Sequence, residues 1–324
     1  MVQASLFDQL ASVNPALSAC LRETAEFLAA PAAIRLSEEQ RALALGIARR
    51  LVGDAAAMLD GAVDSQALWR DWSAQGVPGA TRLAALCFAR AEEHRWREQS
   101  ATQGSDIAAP TAGNVAEMPT AAVIDSDPLS DVDRGYLALR IADGRRFDAL
   151  GYPAIAIDDL DPEFFRSLLL DIAAWQLVRS GKDSVQAARL GEAVRGALAR
   201  HAPDRGIDGA ATTYHAALAA VGAEADSAAA AIARHDWPAL IALVAATQNY
   251  RYADVALALI TAEPAQLAPM LVPILRDQAA LAPLEGSLAM LANRAIASAA
   301  HDDYAAALQA RAAAFGDAPT EDLR

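Results

Sequence analysis

The chain has 324 residues, with 41 acidic against 27 basic side chains and a formal net charge of −14. Hydrophobic residues make up 54% of it but aromatics only 6%, and alanine alone accounts for about a quarter. Small apolar side chains suit close helix–helix packing better than strands, and this charge balance excludes a strongly basic nucleic-acid binder. Two cysteines exclude a disulfide scaffold.

Helix punctuation starts early. Asn14-Pro15 reads as an N-cap followed by proline at the first helical position, opening a helix over 14–29. Ser37-Glu38-Glu39-Gln40 has the form of a capping box, in which serine and glutamine side chains satisfy opposite orphan N–H groups. Behind it, Leu43, Ile47, Leu51 and Met58 form one stripe, and Leu45, Val52 and Leu59 a second. A helix with two apolar faces must be covered on both sides. Trp69 and Trp72 share a face at i, i+3, and a further helix is predicted over 80–98. At its end, Glu92-Glu93-His94-Arg95-Trp96-Arg97 reads as a solvated terminus.

From Gln99 to Ser130 the periodicity disappears. The stretch is rich in Ala, Thr, Ser, Pro and Gly and has no basic residue between Arg97 and Arg134. It buries too little apolar surface to offset its ordering entropy, which predicts a flexible linker.

Periodicity resumes at Asp131. Asp161-Pro162-Glu163 starts a helix with Phe165, Leu168, Leu169 and Ile172 on one face, ended by Gly181. Ser184 begins the next, and 209–235 reads as two alanine-rich helices broken near Gly222. Ala154-Ile155-Ala156-Ile157 is a brief β-like exception. Asp236-Trp237-Pro238-Ala239-Leu240 is echoed at Asp303-Tyr304-Ala305-Ala306-Ala307 and, loosely, at Arg146-Phe147-Asp148-Ala149-Leu150. An aromatic at the start of each helix pair would generate such echoes in a stacked array.

The resulting expectation is an all-α fold of stacked antiparallel helical hairpins, α-solenoid-like. It has two helical regions, 1–98 and 131–316, joined by the linker 99–130 and followed by a polar tail, 317–324. No stretch reaches the ~18 uncharged apolar residues of a membrane helix, and the first residues lack the basic and apolar regions of a signal peptide. Cys20 and Cys87, each in an apolar helical context, read as buried thiols, so a cytoplasmic setting is expected.

The local motifs of catalysis are missing. Gly181-Lys182-Asp183 lacks the flanking residues of a phosphate-binding loop, and no nucleophile elbow occurs. The five histidines are dispersed, without zinc spacing. Asp125-x-Asp127 opens like a calcium loop, but Ser130 and Tyr136 stand where glycine and glutamate are required. Asp158, Asp159, Asp161 and Glu163 fit a helix start better than a cation site. His235-Asp236 and His301-Asp302 could pair a base with its orienting carboxylate, although adjacent helical residues do not face each other. The expectation is therefore no catalytic residue, no metal and no cofactor.

Recognition has a better candidate. Tyr250-Arg251-Tyr252, together with Trp237, combines the aromatic and arginine side chains that dominate interface hot spots, while a helix start with one buried tyrosine is the competing explanation. Leu36-Ser37-Glu38-Glu39-Gln40-Arg41-Ala42-Leu43, the helix through Arg49-Arg50-Leu51-Val52, and Ala233-Arg234-His235-Asp236-Trp237-Pro238-Ala239-Leu240 resemble bacterial helical-repeat proteins of HEAT-type architecture and unassigned function. That resemblance implies a superhelical scaffold with no active site to carry over. Taken together, these residues point to a non-enzymatic protein–protein interaction module, in bacterial regulation or signalling. Its partner would carry a basic surface; nucleic acid and membrane are not expected, and the oligomeric state is left open. The alternatives are an enzyme or small-ligand binder with an interhelical pocket, or a histidine phosphotransfer bundle.

Overall fold

The computed structural model describes Leu21, Thr24 and residues 37–59, 63–107, 129–181 and 183–291, with the backbone alone for 102–107 and 278. Twelve α-helices lie among the described residues. In chain order they are α1 (Glu38–Ala57), α2 (Ser65–Gln75), α3 (Ala80–Ile107), α4 (Asp131–Gly144), α5 (Pro162–Arg179) and α6 (Ser184–Arg200). Then come α7 (Ile207–Val221), α8 (Glu224–Ala233), α9 (Trp237–Gln248), α10 (Tyr252–Thr261), α11 (Pro264–Leu271) and α12 (Ala282–Ala289). None of the described helices is long and apolar enough to cross a membrane.

The capping signals act as read. At α1 the Gln40 N–H donates to Ser37 Oγ (3.2 Å) while the Ser37 N–H donates to Gln40 Oε1 (3.1 Å). Asp161 accepts from the Glu163 and Phe164 N–H groups, with Pro162 at the first position of α5. Gly181, at φ +78°, follows the end of α5, and Gly222, at φ +68°, ends α7. Both occupy left-handed backbone that glycine adopts without a Cβ penalty. The β-like run forms no strand: Phe147 and Pro153 make an isolated bridge, and Ile157–Asp159 is a turn of 3-10 helix.

α1 has the two covered faces that its stripes require. Ile47, Ala48, Leu51, Val52, Ala55 and Ala56 are fully buried. One core gathers α1, α2 and the first half of α3 around Phe164, Phe165, Leu168, Leu169 and Ile172 of α5 and Leu190 and Val194 of α6. A second core gathers Trp96 of α3 with residues of α4 and α7 to α12. The helices do not segregate on either side of residues 99–130, because α5 and α6 complete the core begun by α1. Arg50 donates from both Nε and a terminal nitrogen to the Pro153 carbonyl (3.0 and 2.5 Å), and Arg200 reaches the Met58 carbonyl (3.1 Å). Trp175 Nε1 donates to Asp71 (3.1 Å). Among the described helices, α3 alone takes part in both cores. It continues to Ile107, past the expected end at Glu98, so the predicted linker opens inside a helix.

Several expectations lie outside the described residues: most of the helix over 14–29, Cys20, linker residues 108–128, the His301-Asp302 pair, the echo at Asp303 and the tail 317–324. Leu21 and Thr24 are both helical and buried.

Candidate functional site

The densest polar chemistry sits where the sequence suggested a solvated helix end. Glu92, Glu93, His94, Arg95 and Trp96 are all buried, with exposures between 0 and 7%. The solvated reading fails because α3 extends well beyond this segment and is covered by α1, α10 and α12. Arg90, Glu93 and Arg97, spaced i, i+3 and i+7, fall on one face of α3.

That face meets residues from three other places in the chain. Arg146, just after α4, makes a two-point contact with Glu93 (2.9 and 2.6 Å), and Arg97 makes one with Asp143 (2.7 and 2.8 Å). Asp159 stands 3.4 Å from Arg146 Nε, and the Tyr252 hydroxyl donates to Glu93 (3.2 Å). Phe147 lies beneath the guanidinium groups of Arg90 and Arg97 (4.7 and 5.2 Å from the ring centre), and Tyr252 beneath that of Arg146 (4.7 Å). Arg90 also donates to the carbonyls of Ala154 and Arg146 (3.1 and 2.8 Å), clamping the loop 146–154 onto α3. On the neighbouring face of α3, Glu92 accepts from Arg95 (2.8 and 3.1 Å) and from Gln40 (3.1 Å).

Three guanidinium groups therefore face three carboxylates out of water. Burial by itself would push the Glu93 carboxyl up, but Arg146, Arg90 and Arg97 together hold it well below the usual carboxylate range. Burial and the repulsion of Arg146 bring Arg90 down to about 10. Burial raises the carboxyls of Glu92 and Asp159 and, aided by Glu93, raises the Tyr252 phenol well above its ordinary value. Chemically, this cluster fixes geometry: its carboxylates are engaged by arginines and closed off from any substrate. The acidic residues after Ile157 serve the same end. Asp158 accepts from the Ala202 N–H, Asp159 from Ile207 and Asp161 caps α5. No His, Cys, Asp or Glu group fit to hold a metal ion occurs among the described residues.

The residues proposed for recognition part company. Trp237 (1% exposed) and Tyr252 (0%) are core residues. Trp237 is stacked between Trp96 and His235, and Tyr252 at the first position of α10 belongs to the charge cluster. Tyr250 and Arg251 remain at the surface, exposed by 39% and, for the arginine side chain, 40%. Arg251 donates to the Asp159 carbonyl (2.8 Å) and stands at the edge of a groove of about 460 Å³ between α3, α5 and α10. The groove floor is Ala85, Leu86, Ala89 and Phe164. Arg82 crosses it, bonded to Asp161 (3.1 Å) and lying over the Phe164 ring (5.2 Å). A second cleft, of about 590 Å³, opens between α3, α4 and the start of α9.

The sequence carried little signal for the buried cluster. Opposite charges at i, i+3 and i+7 are equally the pattern of a solvated helix face. What was missing was any local trace of Asp143, Arg146 and Tyr252 as its partners.

No protein-family model, curated protein or solved structure matches this chain.

Proposed function

We propose that this protein is a non-enzymatic, all-α interaction module that takes a partner protein into the groove between α3, α5 and α10. The observation that carries the reading is the groove itself, with its apolar floor of Leu86, Ala85 and Phe164 beside the guanidinium groups of Arg82 and Arg251. Aromatic and arginine groups around a small apolar depression are the usual makings of an interface hot spot. The groove has room for one or two side chains of a partner segment. The net charge of −14 favours encounter with a basic partner surface. A free, buried thiol at Cys87 fits a reducing, cytoplasmic setting.

A photocrosslinking residue at Leu86 tests the reading in the native host. A discrete adduct there, absent when the same group replaces the exposed Val178 and lost in Arg82→Ala/Arg251→Ala, supports it. Equal labelling at both positions, or none, removes it. Small-ligand binding is a second reading, favoured by a specific observation at the other cleft.

A further inference from the structure

The cleft between α3, α4 and the start of α9 offers donors without matching acceptors. Arg97 is bound to Asp143, and Ser100 Oγ donates to the Trp96 carbonyl (2.8 Å). Asp236, the one carboxylate among the described residues that line the cleft, already accepts from the Tyr136 hydroxyl (2.6 Å), from Arg140 (3.4 Å) and from the Ala239 N–H (3.4 Å). Arg140 keeps 45% of its side chain exposed. The exposed Arg234 side chain has no hydrogen-bond or ion-pair partner among the described residues. The buried indole N–H of Trp237, on the cleft wall, also finds no acceptor there.

One wall of the cleft is a stack of flat rings. His235 ends α8 at φ +55°, in the left-handed region, where the Asp236 N–H reaches the Ala231 carbonyl (2.8 Å) and the His235 N–H the Ile232 carbonyl (3.1 Å). This is a position that glycine or asparagine usually fills, and histidine is among the few other residues that visit it. The turn lays its imidazole on Trp237 (centroids 5.0 Å apart, planes 16°), which lies in turn on Trp96 (4.8 Å, 19°). The two tryptophans are core; the half-buried histidine is the outer end of the stack and lines the cleft together with Tyr136. The N-terminus of α9, which begins at Trp237, adds its positive end to the same space.

We infer that this cleft binds a small organic anion that joins a planar ring to a phosphate, with the ring against His235 and the phosphate between Arg234 and Arg140. The acceptor oxygens of a phosphate supply what the donors lack, and a volume of about 590 Å³ admits a ligand the size of a mononucleotide. The site lies apart from the groove of the proposed partner, so either can stand without the other.

Calorimetric titration of the full chain with adenosine 5′-monophosphate, adenosine and inorganic phosphate at low salt tests it. Saturable 1:1 binding of the monophosphate is expected, with adenosine and phosphate each at least about tenfold weaker. Arg234→Ala and His235→Gly should each weaken it at least about fivefold while helicity is unchanged; glycine keeps the left-handed turn and removes the ring. Arg82→Ala, in the other groove, should leave it alone. No saturable binding, or binding indifferent to both cleft variants, overturns the assignment. Phosphate binding as tightly as the monophosphate would overturn the ring contact.

Discussion

Glu93 and Arg146, 53 residues apart, meet in a buried two-point ion pair in which each side chain is at most 4% exposed. This pair ties the middle of α3 to the loop after α4, and Arg90, Arg97 and Tyr252 complete its surroundings. Replacing Glu93 by Gln leaves the buried guanidinium groups of Arg146, Arg90 and Arg97 facing one another. The expected loss is about 3–5 kcal/mol in denaturant unfolding. Arg146→Met should cost a similar amount, and the double variant should lose clearly less than the sum of the singles, because the residues share one network. Since the Glu93 carboxyl is held low, its contribution is present at neutral pH and is lost as pH falls through the folded-state value. Additive single effects would mean that the pair does not act as a unit.

His94 gives a pH dependence of definite sign. Burial, helped by Arg90 and Arg97 against the pull of Glu98, lowers its imidazole from the ordinary 6.5. The unfolded chain then binds the proton more readily, so stability declines as pH falls below 6.5 toward the folded-state value. The His94→Asn variant should show a flatter decline over that window, with a difference of at most about 1.4 kcal/mol per pH unit. The carboxyl groups of Glu92 and Asp159, raised by burial, titrate with the opposite sign in both proteins, and the comparison cancels them. Parallel denaturation curves across the range would refute the assignment to His94.

Two glycine-to-alanine changes should move stability in opposite directions. A Cβ on Gly135, inside α4, would stand 2.9 Å from the Tyr214 Cα of α7, a backbone atom that cannot turn aside. Overpacking of about 1–3 kcal/mol should exceed the helix-propensity gain of about 1 kcal/mol, so Gly135→Ala destabilises. Gly191 lies on the exposed face of α6 with nothing within 4 Å of its added methyl. Gly191→Ala should gain about 0.5–1 kcal/mol. Thermal melts of the two variants decide the matter, and equal signs would contradict the close approach of α4 to α7.

Cys87 should be inert in the folded protein. Burial drives its thiol pKa well above the ordinary value, and the side chain is closed off from solvent. In a Cys20→Ser background, labelling by a thiol reagent at pH 8 should run at least about a hundredfold slower than in the unfolded chain. Fast native labelling would place the thiol at the surface.

The helices and their ends were legible because their causes are local. Ser37 and Gln40 close a capping box whatever surrounds them, Asp161-Pro162 starts α5, and the apolar stripe from Phe165 to Ile172 states which side of α5 is buried. Cys87 was likewise readable as a buried thiol from its apolar neighbours. Arg251 was singled out as a surface recognition residue and does stand at a groove edge, but its neighbours there, Arg82 and Phe164, come from helices far away in sequence. Tyr252 and Trp237, chosen for the same aromatic character, went to the core. Residue type says that an aromatic gains by burial; it does not say which copy finds the space.

The amino-acid sequence on its own determined an all-α chain, the starts of α1, α4, α5 and α6 and the inward faces of α1 and α5, because capping, propensity and periodicity act within a few residues. Only the tertiary structure decided that α5 and α6 complete the core begun by α1. It alone buried Glu92 to Trp96 and laid Trp237 on Trp96. Those outcomes depend on contacts between residues 50 to nearly 200 positions apart, whose free energies come from excluding water at a shared surface and leave no mark on the pattern of any one segment.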